Sequence, residues 1–430
     1  MSPAVEERRR LEALDRPALE RMQLAKLNDL LAAIVPSNRF YAAKLQAAPK
    51  RLASLEQLAE LPFTTKDDLA GADPLATLTY PRSQYVRFHQ TSGTHGRPLP
   101  VLDTAEDWQW WLDAWQFVLD AAEVGPEDIA FLAFSFGPFI GFWTAHDALV
   151  ARGALTIPGG GMRSLARLEL VERSGATVLC CTPSYALRLV EVAAQHSIGL
   201  PNFSVRRIIV AGEAGGSQPA VRRRIEDAWH AQVIDHAGAT EVGPWGYADA
   251  QRRGVHVLES EFIAEFLSVE SGEPAAPGEL AHLVLTPLGR LGMPVIRYRT
   301  GDLVRPSWPA AGPNRFVLLE GGVISRADDM LIIRGVNIFP TAVDQILRSF
   351  PEVVEYRVTA CQRGEMDELL VEVEDHLGEP RRIAQEFSLR LGLEVEVRLA
   401  EPLSLPRFDG KGRRFVDARA RSARPESRSP

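Results

Sequence analysis

Five short stretches of the chain gather residue types that can handle phosphate, carboxylate and a divalent cation. The first, Thr91-Ser92-Gly93-Thr94-His95-Gly96-Arg97-Pro98, packs three hydroxyls, two glycines and a guanidinium together after a predicted strand over 85–89. Glycine lets backbone N–H groups approach an anion, hydroxyls donate further hydrogen bonds, and Arg97 can neutralise charge in a bidentate manner. The spacing and the Lys-Ser/Thr ending of a Walker A loop are missing. The second, Asp235-His236-Ala237-Gly238-Ala239-Thr240-Glu241, ends in a hydroxyl beside a carboxylate, a pair able to touch phosphate and hold Mg2+. In the third, Tyr298-Arg299-Thr300-Gly301-Asp302-Leu303, Asp302 can accept hydrogen bonds from both hydroxyls of a ribose. The fourth is Arg326-Ala327-Asp328-Asp329-Met330-Leu331-Ile332-Ile333-Arg334-Gly335-Val336-Asn337-Ile338-Phe339-Pro340. The fifth, Pro406-Arg407-Phe408-Asp409-Gly410-Lys411-Gly412-Arg413-Arg414, sets one lysine between glycines. Taken singly, each is also what ordinary turns and solvated surfaces contain. Their company gives them meaning.

The elements that must carry these stretches follow from apolar patterning. Short apolar runs over 129–134, 176–180, 207–210 and 232–234 read as buried strands, most closely followed by Gly, Pro or Ser, and they alternate with helical patterns, which predicts an α/β domain. Ahead of them, Met22, Leu24, Leu27, Leu30, Leu31 and Ile34 recur at helical spacing before Pro36, so 19–45 is an N-terminal helical region. Beyond Phe262 the texture turns β-rich over 262–269 and 279–285, with a turn at 272–274. Past Ile324 the pattern predicts helix over 341–350, strands near 353–359 and 368–373, helix over 381–391 and strand over 394–399, enough for a separate small α+β domain. The Arg-, Ser- and Pro-rich end from Asp417 predicts disorder.

Bulk properties narrow the classes. At 430 residues the chain exceeds the roughly 250 to 300 residues that one hydrophobic core organises. A net charge of −8 gives a repulsive background for nucleic acid, which is excluded as a partner. Cys180, Cys181 and Cys361 show no zinc or disulfide spacing, consistent with a reducing cytoplasm. The first 20 residues mix Glu and Arg with short apolar residues, unlike a signal peptide. The apolar stretch 129–143 is broken by Ser135, Gly137, Pro138 and Gly141 and falls short of the roughly 20 residues that span a bilayer, so it reads as core and pocket wall and no membrane partner is expected.

These stretches, in this order, resemble the motifs of the adenylate-forming superfamily of acyl-CoA synthetases, peptide-synthetase adenylation domains and luciferases. The wording of 326–340, together with Pro62-Phe63-Thr64-Thr65-Lys66-Asp67-Asp68-Leu69 and Cys181-Thr182-Pro183-Ser184-Tyr185-Ala186, is similar to the phenylacetate-CoA ligase branch, over about 19–416. The resemblance implies an α/β fold with a large multi-subdomain N-terminal domain (1–325), a hinge (326–329) at Asp328, a small mobile α+β C-terminal domain (330–416) and a tail (417–430). It implies ATP, Mg2+ and coenzyme A as cofactors or co-substrates, and a small carboxylic acid as substrate. Ser92, Gly93, Thr94, Gly96 and Arg97 would hold the β and γ phosphates. Gly212, Glu213 and Ala214 would line the adenine and acyl pockets, with Asp235, His236, Ala237 and Gly238 alongside. Thr240 would meet the α-phosphate, Glu241 would coordinate Mg2+, Asp302 and Arg326 would bind ribose, and Lys411 would be the catalytic lysine. A homodimer follows only by analogy.

The acyl pocket is expected to draw on Phe136, Phe139, Ile140, Phe142, Ala145, Ala214, Pro244 and Trp245, an apolar aromatic slot suited to an aryl or arylacetic acid. Two departures stand out. Ala237 occupies the position where the family usually has an adenine-stacking tyrosine; either His236 compensates or the pocket is enlarged. Some relatives carry a Cys/His zinc site after the Thr-Glu pair, but 248–315 is free of cysteine, leaving His256 and His282 without thiol partners, so no structural zinc is expected. Two other functions compete with acid–CoA ligation: an adenylating ligase that delivers the acyl group to an amine, hydroxyl or carrier protein, and a catalytically silent nucleotide-binding scaffold.

Overall fold

The apolar run Val178–Cys181 is buried at every position, as a strand covered on both faces must be. It lies in the middle of a parallel block in the spatial order Leu155–Pro158, Ile129–Leu132, Val178–Cys181, Arg207–Ala211, Gln232–Ala239. Among the described residues this sheet has nine strands, extended antiparallel by Gly243–Tyr247, Gly254–Val257, Leu318–Glu320 and Pro306–Ser307. The computed structural model describes residues 5–73, 75–91, 98–334, 336–363, 366–407 and 414–419.

Side-chain alternation divides the core in two. Cys180, Ile209 and Ile234 face one cluster, while Leu179, Ile208, Val210 and Val233 face the other. The second cluster is covered by helices Ser164–Ser174, Pro183–Gln195 and Pro219–Trp229, which supply Leu168, Leu189 and Ile225. The first is covered by Trp143–Arg152 and by Ala105–Ala121, whose Trp108, Trp111 and Trp115 are buried. A reciprocal capping box between Thr104 and Asp107 starts that tryptophan-rich helix.

The β-rich region forms a four-stranded antiparallel sheet of Phe262–Ser268, Ala281–Pro287, Tyr298–Val304 and Ser325–Arg326. The N-terminal helical region is divided near Pro36 into helices Arg16–Ile34 and Arg39–Lys44, which share a core with Ile263, Leu288 and Ile296. Ile333, Val343, Val358, Val371 and Phe387 belong to a third core, built only from residues beyond 330. Hairpin Leu331–Ile333/Val336–Ile338, helices Pro340–Arg348 and Pro380–Leu391, and a mixed sheet make up this small unit. Its last strand, Phe415–Asp417, pairs parallel with Val353–Arg363, placing Asp417 opposite Ala360. Arg419 lies 2.5 Å from Asp367, so the chain is still engaged where its composition predicts a tail.

The small unit touches the large one at defined points. Arg224 donates to the Val353 carbonyl at 3.1 Å, and Arg407 lies 3.4 Å from Glu191 on helix Pro183–Gln195. Among the described residues no helix is long and apolar enough to cross a membrane.

Candidate active site

Residues 212–214 follow the C-terminal end of parallel strand Arg207–Ala211, and Thr240 and Glu241 that of Gln232–Ala239, the end at which ligands of open α/β sheets bind. Gly212 (φ 92°) turns the chain out of strand Arg207–Ala211 and is exposed. Glu213 points back inward, and its Oε1 accepts from the Ser184 N–H at 2.7 Å, at the N-terminus of helix Pro183–Gln195. Burial raises its pKa, and that hydrogen bond lowers it in part. The backbone of 212–214 thus faces the edge while the Glu213 carboxylate serves the helix.

Asp235 and His236 take opposite faces of their strand. Asp235 Oδ2 accepts from Ser217 Oγ at 2.6 Å, and a Cβ added at Gly216 would stand 2.5 Å from Oδ1, so this buried carboxylate needs glycine beside it. Desolvation pushes it up to about 6. The His236 ring packs 4.4 Å from Trp115 between centroids, with Nδ1 donating to the Gly246 carbonyl at 2.8 Å. The imidazole is therefore packed in the core, whereas Ala237 beside it is half-buried.

These buried groups set a pH dependence. Desolvation depresses both His236 and His89 to about 4, so the native state keeps them neutral while the unfolded chain binds protons from about 6.5 downward. Stability should fall as pH drops from about 6.5 toward 4. Asp235 works in the opposite sense, because its raised pKa makes the native state hold a proton that the unfolded chain releases above about 3.8. Melting temperatures across this range should show a net loss on acidification that flattens in the His89→Gln/His236→Gln double variant. An unchanged slope would refute it.

Glu241 sits in the turn between Gln232–Ala239 and Gly243–Tyr247, and three residues from distant parts of the chain converge on it. The Tyr298 hydroxyl hydrogen-bonds its carboxylate, and burial together with this carboxylate raises the phenol far enough to keep it protonated. Lys66 Nζ lies 3.6 Å from Oε1. Arg290 Nη1 donates to the Glu241 carbonyl at 2.8 Å and approaches that of Thr240 at 3.5 Å. Lys66 and Tyr298 lie within motif stretches without having been singled out for this role. Arg290 had no signal in its neighbourhood.

Asp302 meets Arg326 across paired strands, with Arg326 Nη1 3.3 Å from Oδ1 and donating to the Thr300 carbonyl at 2.6 Å. The same guanidinium reaches Asp328 through Nε at 3.0 Å, so the expected ribose and hinge residues form one charged cluster. Gly301 (φ 79°) makes the approach feasible, since a Cβ there would come 2.6 Å from Arg326 Nη2.

The expected acyl-pocket residues divide. Phe142, Ala145, Pro244 and Trp245 are buried in the core, whereas Phe136, Ile140 and Ala214 are half-buried and Phe139 is exposed. Phe134 holds Phe139 and Phe142 edge-to-face at 5.8 and 5.0 Å, and Phe136 meets Trp143 at 4.7 Å. The segment 134–143 is thus an aromatic lattice leading from the core to the strand edge.

Ser92, Gly93, Thr94, Gly96, Arg97 and Lys411 lie outside the described residues. Their flanks are tied down: Thr91 and Leu99 exchange backbone and hydroxyl hydrogen bonds at 3.0 Å, closing the base of the first loop. Around 408–413, Arg407 grips Glu374 at 2.6 Å and 2.9 Å, and Arg414 grips Glu355 at 2.5 Å and 2.9 Å. His256 engages the Phe316 carbonyl and Asp249 through its two ring nitrogens, at 2.9 and 3.2 Å. The ≈690 Å³ groove beside Gln23, Ile263 and Trp308 contains none of the candidate residues.

A parallel sheet with a Thr-Glu turn after its strand Gln232–Ala239, an Asp–Arg pair in the antiparallel sheet and a separate small α+β unit agree with the families the chain matches. The AMP-binding enzyme model matches residues 42–264 and the AMP-binding enzyme C-terminal domain model residues 335–419. The chain belongs to the AMP-binding enzyme family. Among characterised relatives it is 30% identical to the phenylacetate-coenzyme A ligase of Thermus thermophilus, over 95% of this chain and 98% of that one. It is 32% identical to the phenylacetate-coenzyme A ligase of Escherichia coli K12, over 93% and 95%.

Among solved structures, 2-hydroxyisobutyryl-CoA ligase in the postadenylation state with 2-HIB-AMP superposes with a TM-score of 0.91 at 26% identity, covering 97% of this chain and 94% of that one. The same ligase with 2-HIB-AMP and CoA in the thioesterification state gives 0.73 at 27% identity and the same coverage. Equal coverage with unequal agreement means that the arrangement of parts here is nearer the former.

Proposed function

We propose that this protein activates a small carboxylic acid with ATP, releasing pyrophosphate, and passes the acyl group from the resulting acyl-adenylate to coenzyme A. The observation that carries this reading is the seating of Glu241, whose backbone is gripped by Arg290 and whose carboxylate lies against Tyr298 and Lys66 at the strand edge. It is supported by the relatives, which are phenylacetate-coenzyme A ligases.

A carboxylate is a poor electrophile, and bringing it against a triphosphate sets anion against anion, so charge neutralisation is the central task. In this reading Ser92, Thr94 and Arg97 bind the β and γ phosphates, Thr240 meets the α-phosphate, Asp302 and Arg326 hold the ribose, and Lys411 bridges acid and α-phosphate. Glu241 beside the Thr240 hydroxyl is a hard oxygen donor set of the kind that holds Mg2+ through one carboxylate plus substrate phosphates. When bound, the ion offsets phosphate charge. The small unit then reorients about Asp328, withdrawing Lys411 for the second half-reaction.

The aromatic lattice over 134–143 favours an aryl or arylacetic acid, whose flat ring suits edge-to-face packing. Pyrophosphate release is measured with Mg-ATP and phenylacetic, benzoic, hydroxybenzoic and aminobenzoic acids, each with and without CoA. The expected result is release with one of these acids and a thioester formed only when CoA is present. Sustained turnover without CoA would favour an amine, hydroxyl or carrier-protein acceptor. Failure of every acid to elicit pyrophosphate would refute aryl-acid activation.

A further inference from the structure

The small unit meets the large one through charge. No apolar cluster among the described residues has members from both: the third core draws only on residues beyond 330, and the other clusters only on residues before it. Polar contacts cross the boundary instead. Arg407 Nε stands 3.4 Å from Glu191 Oε2, an ion pair without hydrogen-bond geometry. The same oxygen accepts from Arg188 Nη1 at 2.8 Å, from the preceding turn of helix Pro183–Gln195, while Nη1 and Nη2 of Arg407 hold Glu374 in strand Met366–Asp375 at 2.9 and 2.6 Å. Arg224, on helix Pro219–Trp229, donates from Nη1 to the Val353 carbonyl at 3.1 Å, where strand Val353–Arg363 begins. Burial first, and then the nearby Arg348, lower the pKa of Arg224, and Glu191, Asp344 and Glu355 oppose them.

A boundary of this kind parts readily. A shared apolar core would expose its area to water each time the units separated, whereas half-buried ions regain hydration when they leave each other. Such ion pairs are individually weak, so they bias an arrangement without fixing it. A contact made in one arrangement and lost in another shifts the ratio of the two by the difference in its free energy. The arrangement here is nearer that of a ligase in its postadenylation state than in its thioesterification state.

We propose that Glu191 and Arg224 are positioning residues for the acid-activating step: they dock the small unit in the arrangement seen here, and their release frees it for acyl transfer to coenzyme A. This rests on the two-step activity proposed above. Both side chains act through the unit they hold, Glu191 through Arg407 and Arg224 through the backbone of Val353.

The test compares the full-length protein with Glu191→Gln, Arg224→Met and Arg224→Lys, using whichever of the four acids above supports pyrophosphate release, and the acyl-adenylate of that acid. Glu191→Gln keeps the length of the side chain and removes the charge that faces Arg407. Arg224→Met removes the donor to Val353, and Arg224→Lys keeps one. For Glu191→Gln and Arg224→Met we expect pyrophosphate release to fall about threefold to thirtyfold, with thioester formation from supplied acyl-adenylate unchanged or faster. Arg224→Lys should recover most of the loss.

A fall shared by both half-reactions, a fall confined to thioester formation, or no fall in either would overturn the proposal while leaving the ligase reading intact. A merely structural role would give the first of these, together with a lowered melting temperature. If Arg224→Lys performs no better than Arg224→Met, the contact with Val353 has no part in docking and the assignment of Arg224 falls. If the unsubstituted protein released no pyrophosphate with any of the acids, the reading beneath the proposal would fall and the proposal with it. If Arg224→Met does not fold, the split between half-reactions in Glu191→Gln decides.

Discussion

Replacing Lys411 by alanine is expected to lower acid-dependent pyrophosphate release by about 10²-fold to 10³-fold while leaving thioester formation from supplied acyl-adenylate near its original rate. Two negative groups meet in the first half-reaction, and a cation between them offsets their repulsion as the bond to phosphorus forms. The second half-reaction begins from an acyl-adenylate already made and attacked by a thiol, so it does not need that cation. The described residues on either side of that stretch are held by the Arg407–Glu374 and Arg414–Glu355 ion pairs. Each half-reaction is timed separately, with ATP plus acid in one and acyl-adenylate plus CoA in the other. Comparable losses in both would end the division of labour assigned to Lys411.

Glu241→Gln should lower pyrophosphate release by about 10²-fold to 10³-fold as well, for a different reason. Glutamine keeps the volume and one carbonyl oxygen, and it still faces the Tyr298 hydroxyl, so the turn should persist under the grip of Arg290 on its backbone. What disappears is the negative charge that makes the side chain a cation ligand and pairs it with Lys66. The half-saturating Mg2+ concentration for pyrophosphate release should therefore rise, a change that Lys411→Ala should not share. Titrating Mg2+ at fixed ATP separates the two variants. An unaltered Mg2+ requirement with unaltered rate would remove Glu241 from the site. Tyr298→Phe, which deletes one hydrogen bond and no charge, should have a smaller effect on both quantities.

How much of this was legible in the sequence depended on distance along the chain. Two of the parallel strands announced themselves as unbroken apolar runs, because a strand covered on both faces has no polar side: 178–181 and 208–211 are such runs, whereas Leu155–Pro158 carried no such signal. The small unit was legible as alternating helical and strand patterns, and its predicted elements lie within a few residues of those observed. The Thr240–Glu241 pair and the Asp302–Arg326 pair could be proposed from sequence because each lies in a short motif beside a strand. The burial of the His236 imidazole was not legible locally: adjacent residues of a strand face opposite sides, and its packing against Trp115 depends on a helix far away in the chain. The aromatic segment showed its composition but not its division into core and lining residues.

The sequence by itself determined the family, the order of its motifs and the residue types available for phosphate, ribose, cation and acid, because chemistry that demands certain groups at close spacing writes them close together. Tertiary structure alone decided which of those groups are held and by what. Asp103 and Arg290 stand 187 positions apart, and Lys66, Tyr298 and Glu241 come from three separate regions. Their meeting depends on which strands become neighbours and which turns leave the same edge of the sheet. That choice is made by burying apolar faces across the whole domain, and no local pattern records it.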